Sequence, residues 1–343
     1  MLGGGLIALD MKSESNDLPK LAMMTKKYSR YAVRLVSLIM NGQIIATIRG
    51  IIAYIGVPPV IDNCIAVPLD YAIDKWETPP HIAVICHMYY PDMADEFRGY
   101  LLNIPYSFDL FITTDTKEKQ LDIQNGFAQW RKGHVDVHVV PNRGRDIAPK
   151  LVACKDVYGQ YEYFLHIHTK KSPHAESLGE WRTYLLQNLL GSEALVYSVF
   201  EAFRVDPDLG MIAPPHYKTL HKRVGWGLNF KQGKDIAMRM GISISKQRSI
   251  DFPSGSMFWG RSAALKPLLD CNFMLEEFPA EKKQKDETLA HVIERIYFYS
   301  CEKAGFRWVK IVNIIEQNGH IKSAKIDNSE DLKKFIAKGS GLL

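Results

Sequence analysis

Between residues 82 and 168 four short apolar runs, IAVICHMYY, FDLFITTD, VDVHVVP and YEYFLHIH, each lead into a segment whose polarity suits a helix. Runs of this length, rich in β-branched and aromatic residues, read as buried strands. Strand and helix in repeated alternation have few solutions: the strands lie mostly parallel in one sheet and the helices cover its faces. The predicted fold class is therefore α/β with a mostly parallel central sheet. PDMADEFRGYLLNI, QNGFAQWRKG and DIAPKLVACKDVYG are the helical segments expected between these strands, the last with a proline inside it. Further on, GEWRTYLLQNLLGS and EALVYSVFEAF predict helices, LGMIAPP a short strand, and DFPSGSMFWGRSAALKPLL a strand or loop entering a helix. The strongest late helix is DETLAHVIERIYFYSCEKAGF, with Leu289, Ile293, Ile296 and Phe298 near a helical repeat. Phe306 to Ile314 suits a last strand, and a short helix is expected around Ser329 to Ile336.

Composition narrows the partners. A chain of 343 residues, 46% hydrophobic and 24% charged, suffices for one large domain or two small ones. Its formal charge of +5 is too small to argue for nucleic acid, and no continuous series of basic and aromatic residues supplies a stacking groove, so no nucleic-acid partner is expected. Five cysteines without a CxxC pair favour reduced thiols and a cytoplasmic setting.

Residues 1–80 read as a separate N-terminal region, helical or associating with a membrane or partner, and residues 81–343 as the α/β domain. Thr78-Pro79-Pro80 closes the first region as a linker. The opening residues lack a basic leader ahead of their short apolar stretch, so no cleaved signal is read there. Residues 31–61 are strongly apolar, but Arg34 and Arg49 interrupt them and leave no clean span of about 20 apolar residues. The basic flanks Lys26, Lys27 and Arg30 allow an interfacial helix on anionic lipid, at the inner face of the cell membrane; a helical hairpin packed on the main domain or a partner is the other reading.

In a parallel α/β sheet ligands bind beyond the carboxyl ends of the strands, which directs attention to the loops there. The third run ends in PNRGRD, residues 141–146. Gly144 permits a tight turn, Arg143 and Arg145 carry guanidinium forks suited to phosphate, and Asp146 could cap a helix; a solvated basic turn is the alternative. The fourth run ends in HIHTKKSPH. Ser172 and Pro173 suit a helix entrance, so Lys170 and Lys171 would precede a helix N-terminus able to hold a diphosphate. His166 and His168 share one side of the strand, with His174 past the turn, but no adjacent carboxylate or cysteine completes a metal set. His168 suits a hydrogen bond to substrate or neighbouring backbone, and His166 a structural place.

A third cluster is FPSGSMFWGR, residues 252–261. Gly255 between Ser254 and Ser256 permits close approach of backbone to substrate; Phe258 and Trp259 offer flat faces for a sugar or base, though each taken singly suits the core. Downstream lie Glu276, Glu277, Asp286, Glu287 and Glu294 around the start of the late helix, with His291 and Glu294 a helical turn or so beyond Asp286. Activating an acceptor hydroxyl needs a carboxylate or histidine at short range, and Asp286 is a candidate base; capping or surface pairing would equally account for such residues.

Taken in order, NRGRDIAP (142–149), FLHIHTKKSPH (164–174), EWR (180–182), FPSGSMFWGR (252–261) and DETLAHVIERI (286–296) resemble the rhamnan synthesis F family, over about His81 to Phe306. The resemblance implies a GT-A-like glycosyltransferase of bacterial surface polysaccharide assembly, moving rhamnose from dTDP-rhamnose to a polysaccharide or lipid-linked acceptor. The order of these motifs is also similar to that of GT-A enzymes, where a comparable strand ends in an Asp-x-Asp element that binds metal and diphosphate. Here it reads His166-Ile167-His168, without the carboxylates. Mg or Mn is the cofactor such a fold admits, and no metal ligand is assigned.

On that comparison the donor-binding candidates are Asn142, Arg143, Arg145, Asp146, His168, Lys170 and Lys171. The acceptor-binding candidates are Ser254, Gly255, Ser256, Phe258, Trp259 and Arg261. Asp286 falls where such enzymes carry the acceptor-activating acid, with Glu277 as the second catalytic candidate. The expected reaction is an inverting displacement with cationic loops on the leaving diphosphate. A noncatalytic nucleotide- or polysaccharide-binding protein of the same assembly pathway is the alternative, because a fold does not prove turnover.

Overall fold

The computed structural model describes residues 63–74, 76–169, 180–221, 224–281, 287–314 and 321–338, all within the unit Gly56–Leu343. The expected N-terminal helical region falls almost wholly on residues outside this set. Its last part does not: Asn63–Val67 forms a strand, β1, so the sheet begins upstream of His81. Then come β2 (Ile82–His87), helix α1 (Ala94–Leu101), β3 (Phe108–Thr114), α2 (Lys117–Gly126), β4 (Val135–Val139) and β5 (Tyr163–His168). The second half runs α3 (Trp181–Leu190), α4 (Glu193–Val205), β6 (Leu209–Ala213), α5 (Phe230–Arg239), β7 (Phe258–Arg261), α6 (Ser262–Leu269), α7 (Leu289–Lys303), β8 (Arg307–Asn313), β9 (Lys322–Ala324) and α8 (Ser329–Ala337). Among the described residues no helix is long and apolar enough to cross a membrane.

Among the described residues nine strands form one sheet in the order β4-β3-β2-β5-β7-β6-β8-β1-β9. Every pairing is parallel except those of β7, which runs antiparallel to both β5 and β6. The two central strands β2 and β5 are buried at every position, as strands covered on both faces must be. Side chains alternate between two cores: Tyr163, Leu165 and Ile167 of β5 enter one, and Phe164 enters the other. The same alternation divides β7, sending Phe258 to the second core and Trp259 to the first.

One predicted helix takes a different form. DIAPKLVACKDVYG is a five-residue π-helical turn (Pro149–Ala153) followed by a 3₁₀ turn (Lys155–Gly159). Pro149 has no N–H to give the preceding turn, and the Cys154 N–H reaches back five residues to the Pro149 carbonyl. Helix α2 likewise occupies Lys117–Gly126, so QNGFAQWRKG supplies only its last turn.

Candidate active site

The register of β2 sets Thr113, His87 and His168 side by side at the carboxyl ends of three parallel strands. Beyond this row lies a cleft of about 250 Å³. Its walls come from Arg145 and Asp146 after β4, His168 at the end of β5, Trp181 on α3, Gly255 and Ser256 before β7, and His291 and Glu294 on α7.

The loop after β4 is shaped by backbone that few residues tolerate. Gly144 sits at φ +64°, and a Cβ there would lie 2.5 Å from both Ala148 Cβ and Phe278 Cδ1. Arg145 follows at φ +55°, also left-handed, which turns its guanidinium to the cleft with Nε 3.7 Å from Glu281 Oε2. Asp146 then points inward. Its Oδ2 accepts from Lys150 Nζ at 2.9 Å and lies 3.2 Å from His168 Nδ1. Lys150, one helical turn on, is fully buried and also donates to the Ser256 carbonyl at 3.0 Å. Burial alone would raise the Asp146 carboxyl, but the contacts with His168 and Lys150 outweigh it and hold it well below the usual carboxylate range.

The strand histidines separate by role. Burial pushes His166 well below the ordinary histidine range, and its Nε2 is 2.5 Å from the Tyr158 hydroxyl: it is a neutral core residue, as expected. Burial also lowers His87, to about 4, with its Nδ1 3.0 Å from Thr113 Oγ1. His168 alone of the three lines the cleft.

The loop before β7 is clamped from several sides. Asp251 is 2.7 Å from Lys310 Nζ and 2.9 Å from His216 Nε2; burial would raise its carboxyl, but these two contacts bring it down to about 2. Gly255 is at φ +88°, where a Cβ would come 2.7 Å from Leu185 Cδ1, and its N–H donates to Glu294 Oε1 at 2.6 Å. Ser256 is left-handed too, at φ +54°. Helix α7 opens with a capping box in which His291 and Thr288 cap each other, Nδ1 to Oγ1 2.8 Å apart. Glu294 then falls on the cleft side one turn in.

Of the candidates read from sequence, Arg145, Asp146, His168, Gly255 and Ser256 come together here. Lys170, Lys171 and Asp286 lie outside the described residues. Asn142 is exposed on the loop, and Ser254 is buried next to Gly255. Arg143 has a structural place, donating to the Phe278 carbonyl at 2.9 Å and bridging to Ala280. Phe258 and Trp259 are fully buried, so neither offers a face to a sugar; Trp259 Nε1 donates to the Leu189 carbonyl at 3.1 Å. Because β7 runs antiparallel, Arg261 stands opposite Tyr163, at the amino end of β5. Five residues of strand at about 3.3 Å each put that end roughly 16 Å from His168. There Arg261 holds Glu162 and the Phe203 and Leu209 carbonyls. Glu277 pairs with Arg239 at 2.8 Å, away from the cleft lining. Lys150, Trp181 and the cleft-facing placement of Glu294 were missed. The Asp146–Lys150 spacing of four residues was the available signal for Lys150.

Among the described residues the donors of the cleft do not suit a divalent ion: Asp146 Oδ2 is engaged by Lys150 and His168, Glu294 Oε1 by a backbone N–H, and no group of three or more His, Cys, Asp or Glu could hold a metal.

A mostly parallel sheet carrying one antiparallel strand, with a charged cleft beyond the strand ends, makes this an α/β protein with its candidate site at the carboxyl ends of the strands. The chain belongs to the rhamnan synthesis protein F family, which it matches over residues 24–316. Two curated relatives, each described as uncharacterized protein WxcX and drawn from two strains of Xanthomonas campestris pv. campestris, are 35% identical over 240 residues. The match covers 69% of this chain and 33% of each relative, so the chain spans about a third of the length of the curated relatives it matches. Among solved structures, the mannosyltransferase PcManGT from Pyrobaculum calidifontis in complex with GDP-Man and Mn2+ superposes with a TM-score of 0.39 at 11% identity, covering 84% of this chain and 69% of that one. A 4-diphosphocytidyl-2C-methyl-D-erythritol synthase gives 0.31 at 8% identity, covering 76% and 99%.

Proposed function

We propose that this protein is a nucleotide-sugar-dependent glycosyltransferase of bacterial surface polysaccharide assembly. Its donor is dTDP-rhamnose, and it passes rhamnose with inversion to a growing polysaccharide or lipid-linked acceptor. Family membership supports the pathway. The observation that carries the chemistry is the cleft itself, where Arg145 and His168 stand on the wall formed by β4 and β5 and Glu294 stands on the wall formed by α7.

Two walls of opposite character suit displacement at a sugar carbon. The leaving nucleoside diphosphate gathers negative charge, which oriented cations stabilise most in a site shielded from water. Arg145 and His168 fill that role, with Lys170 and Lys171 following directly on the β5 strand end. Asp146 orients His168 through Nδ1, and Lys150 keeps Asp146 ionised beneath it. The acceptor proton goes to a carboxylate, for which the sequence supplies Asp286 as a candidate. The engagement of the described carboxylates by protein groups supports a transfer that needs no divalent ion, so that chelation leaves the rate within twofold.

The reading places the protein in the cytoplasm at the inner face of the membrane, held there by residues 1–55. Fractionation with and without those residues, which leaves Gly56–Leu343 whole, tests that part. For the reaction, nucleotide sugars are screened for binding and the product with a lipid-linked acceptor is analysed by NMR for anomeric configuration. Absence of both binding and transfer across the nucleotide-sugar series sinks the proposal.

A further inference from the structure

We infer that Glu294 is the general base that deprotonates the acceptor hydroxyl. This rests on the glycosyltransferase reading above and names the group that reading leaves to be assigned. Two carboxylates line the cleft among the described residues, Asp146 and Glu294. They are not equivalent. Asp146 spends Oδ2 on Lys150 Nζ at 2.9 Å and His168 Nδ1 at 3.2 Å, so a proton placed on it would have to displace two cationic partners. Glu294 is paired more loosely: Oε1 accepts the Gly255 N–H at 2.6 Å, and Oε2 makes a long ion pair, 3.9 Å, with Arg295 Nη1.

That guanidinium is already committed. Arg295 donates Nε to the Gly225 carbonyl and Nη1 to the His291 carbonyl, each at 2.8 Å, and its plane lies over Phe252. Its ion pair with Glu294 is therefore the long one, at 3.9 Å. The carboxylate is 17% exposed, which is open enough to meet a hydroxyl and closed enough to exclude most water. It also sits in the second turn of a 15-residue helix that carries the opposite wall of the cleft. A base carried on a rigid helix and fixed by a backbone N–H is held in one geometry, which proton transfer in the transition state demands.

In the step, the acceptor O–H proton passes to Glu294 Oε2 as the acceptor oxygen forms its bond to the anomeric carbon. The bond from that carbon to the diphosphate oxygen breaks, its electron pair leaves on the nucleoside diphosphate, and Arg145 and His168 face that charge. The proton later returns to solvent. Atoms and charge balance without a further reactant.

The test uses the full chain and the nucleotide sugar that the wild-type protein turns over. Glu294→Gln keeps an oxygen to accept the Gly255 N–H, so donor Kd stays within threefold. Its kcat falls at least about 100-fold, the usual scale of general-base catalysis. The acidic limb of the pH–rate profile disappears in Glu294→Gln and reappears in Glu294→Asp, which restores part of the rate; a role confined to holding the Gly255 turn would move neither. Glu294→Gln with kcat within fivefold of wild type overturns the assignment. So does loss of the acidic limb in Asp286→Asn while Glu294→Gln retains it. A wild-type chain that binds and transfers no nucleotide sugar overturns the underlying reading, and the base assignment with it.

Discussion

The Lys150 ammonium lies 2.9 Å from Asp146 Oδ2 and no part of the Lys150 side chain reaches solvent. Through a second contact, the Ser256 carbonyl, it joins the loop after β4 to the loop before β7. A buried pair of this kind contributes less through its own attraction than it costs when one member is removed.

Replacing Lys150 with Met leaves the Asp146 carboxylate buried beside His168 alone. The expected loss is about 3–5 kcal/mol in denaturant unfolding. Lys150→Met combined with Asp146→Asn recovers more than half of it, because the second change removes the stranded charge. A loss in the double variant equal to the sum of the losses in the two single variants would show that the pair is not coupled.

Stability should fall on acidification in two separate windows. His87 has a folded pKa of about 4 against about 6.5 unfolded, so the unfolded chain takes up the proton first. Its contribution, about 3 kcal/mol, is complete above pH 6.5 and is lost as pH falls to about 4. Asp251, at about 2 in the folded protein, is depressed from 3.8. It contributes about 2 kcal/mol that is present above pH 4 and lost as pH falls through 2. Unfolding free energy measured against pH should lose part of its upper slope in His87→Gln, the buried His166 supplying more of it, and part of its lower slope in Asp251→Asn, to which Asp146 also contributes.

Three glycines separate conformational need from mere presence. Gly144→Ala and Gly255→Ala each force a side chain into left-handed backbone and into contact at 2.5 Å and 2.7 Å respectively. Each should cost about 1–3 kcal/mol and raise the donor KM, since both turns border the cleft. Gly159→Ala meets nothing within 4 Å and should be neutral or slightly stabilising. Thermal unfolding of the three variants checks the ranking.

Trp259 tests core against sugar face. Trp259→Ala should destabilise by about 3–5 kcal/mol, whereas Trp259→Phe, which loses the Leu189 hydrogen bond and some volume, should cost less and leave acceptor KM within twofold. A tenfold rise in acceptor KM for Trp259→Phe, with stability unchanged, would return this residue to the binding surface.

How far the chain could be read without its structure depends on the distance over which each feature acts. The alternation of apolar runs and helical segments is local, and so are the turns that need Gly144 and Gly255; both were legible from residues 82–168 and 252–261. The same reading placed Arg145, Asp146 and His168 beyond strand ends, because strand direction in a repeated βα chain follows from connectivity. It could not say that residues 258–261 insert antiparallel between β5 and β6. That pairing is made with segments some 50 to 100 residues away, and it decides that Trp259 is core, that Arg261 sits at the far end of the sheet, and that Gly255 and Ser256 meet His168. The choice of Glu294 over Glu277 is of the same kind. Both are ordinary acidic residues in sequence, and only the packing of α7 against the cleft, with Arg239 drawing Glu277 aside, separates them. The sequence by itself determined the elements and the turn chemistry, which depend on neighbours a few residues apart. The tertiary structure alone decided which charges share a buried space, because burial and pairing depend on segments the chain brings together only when it folds.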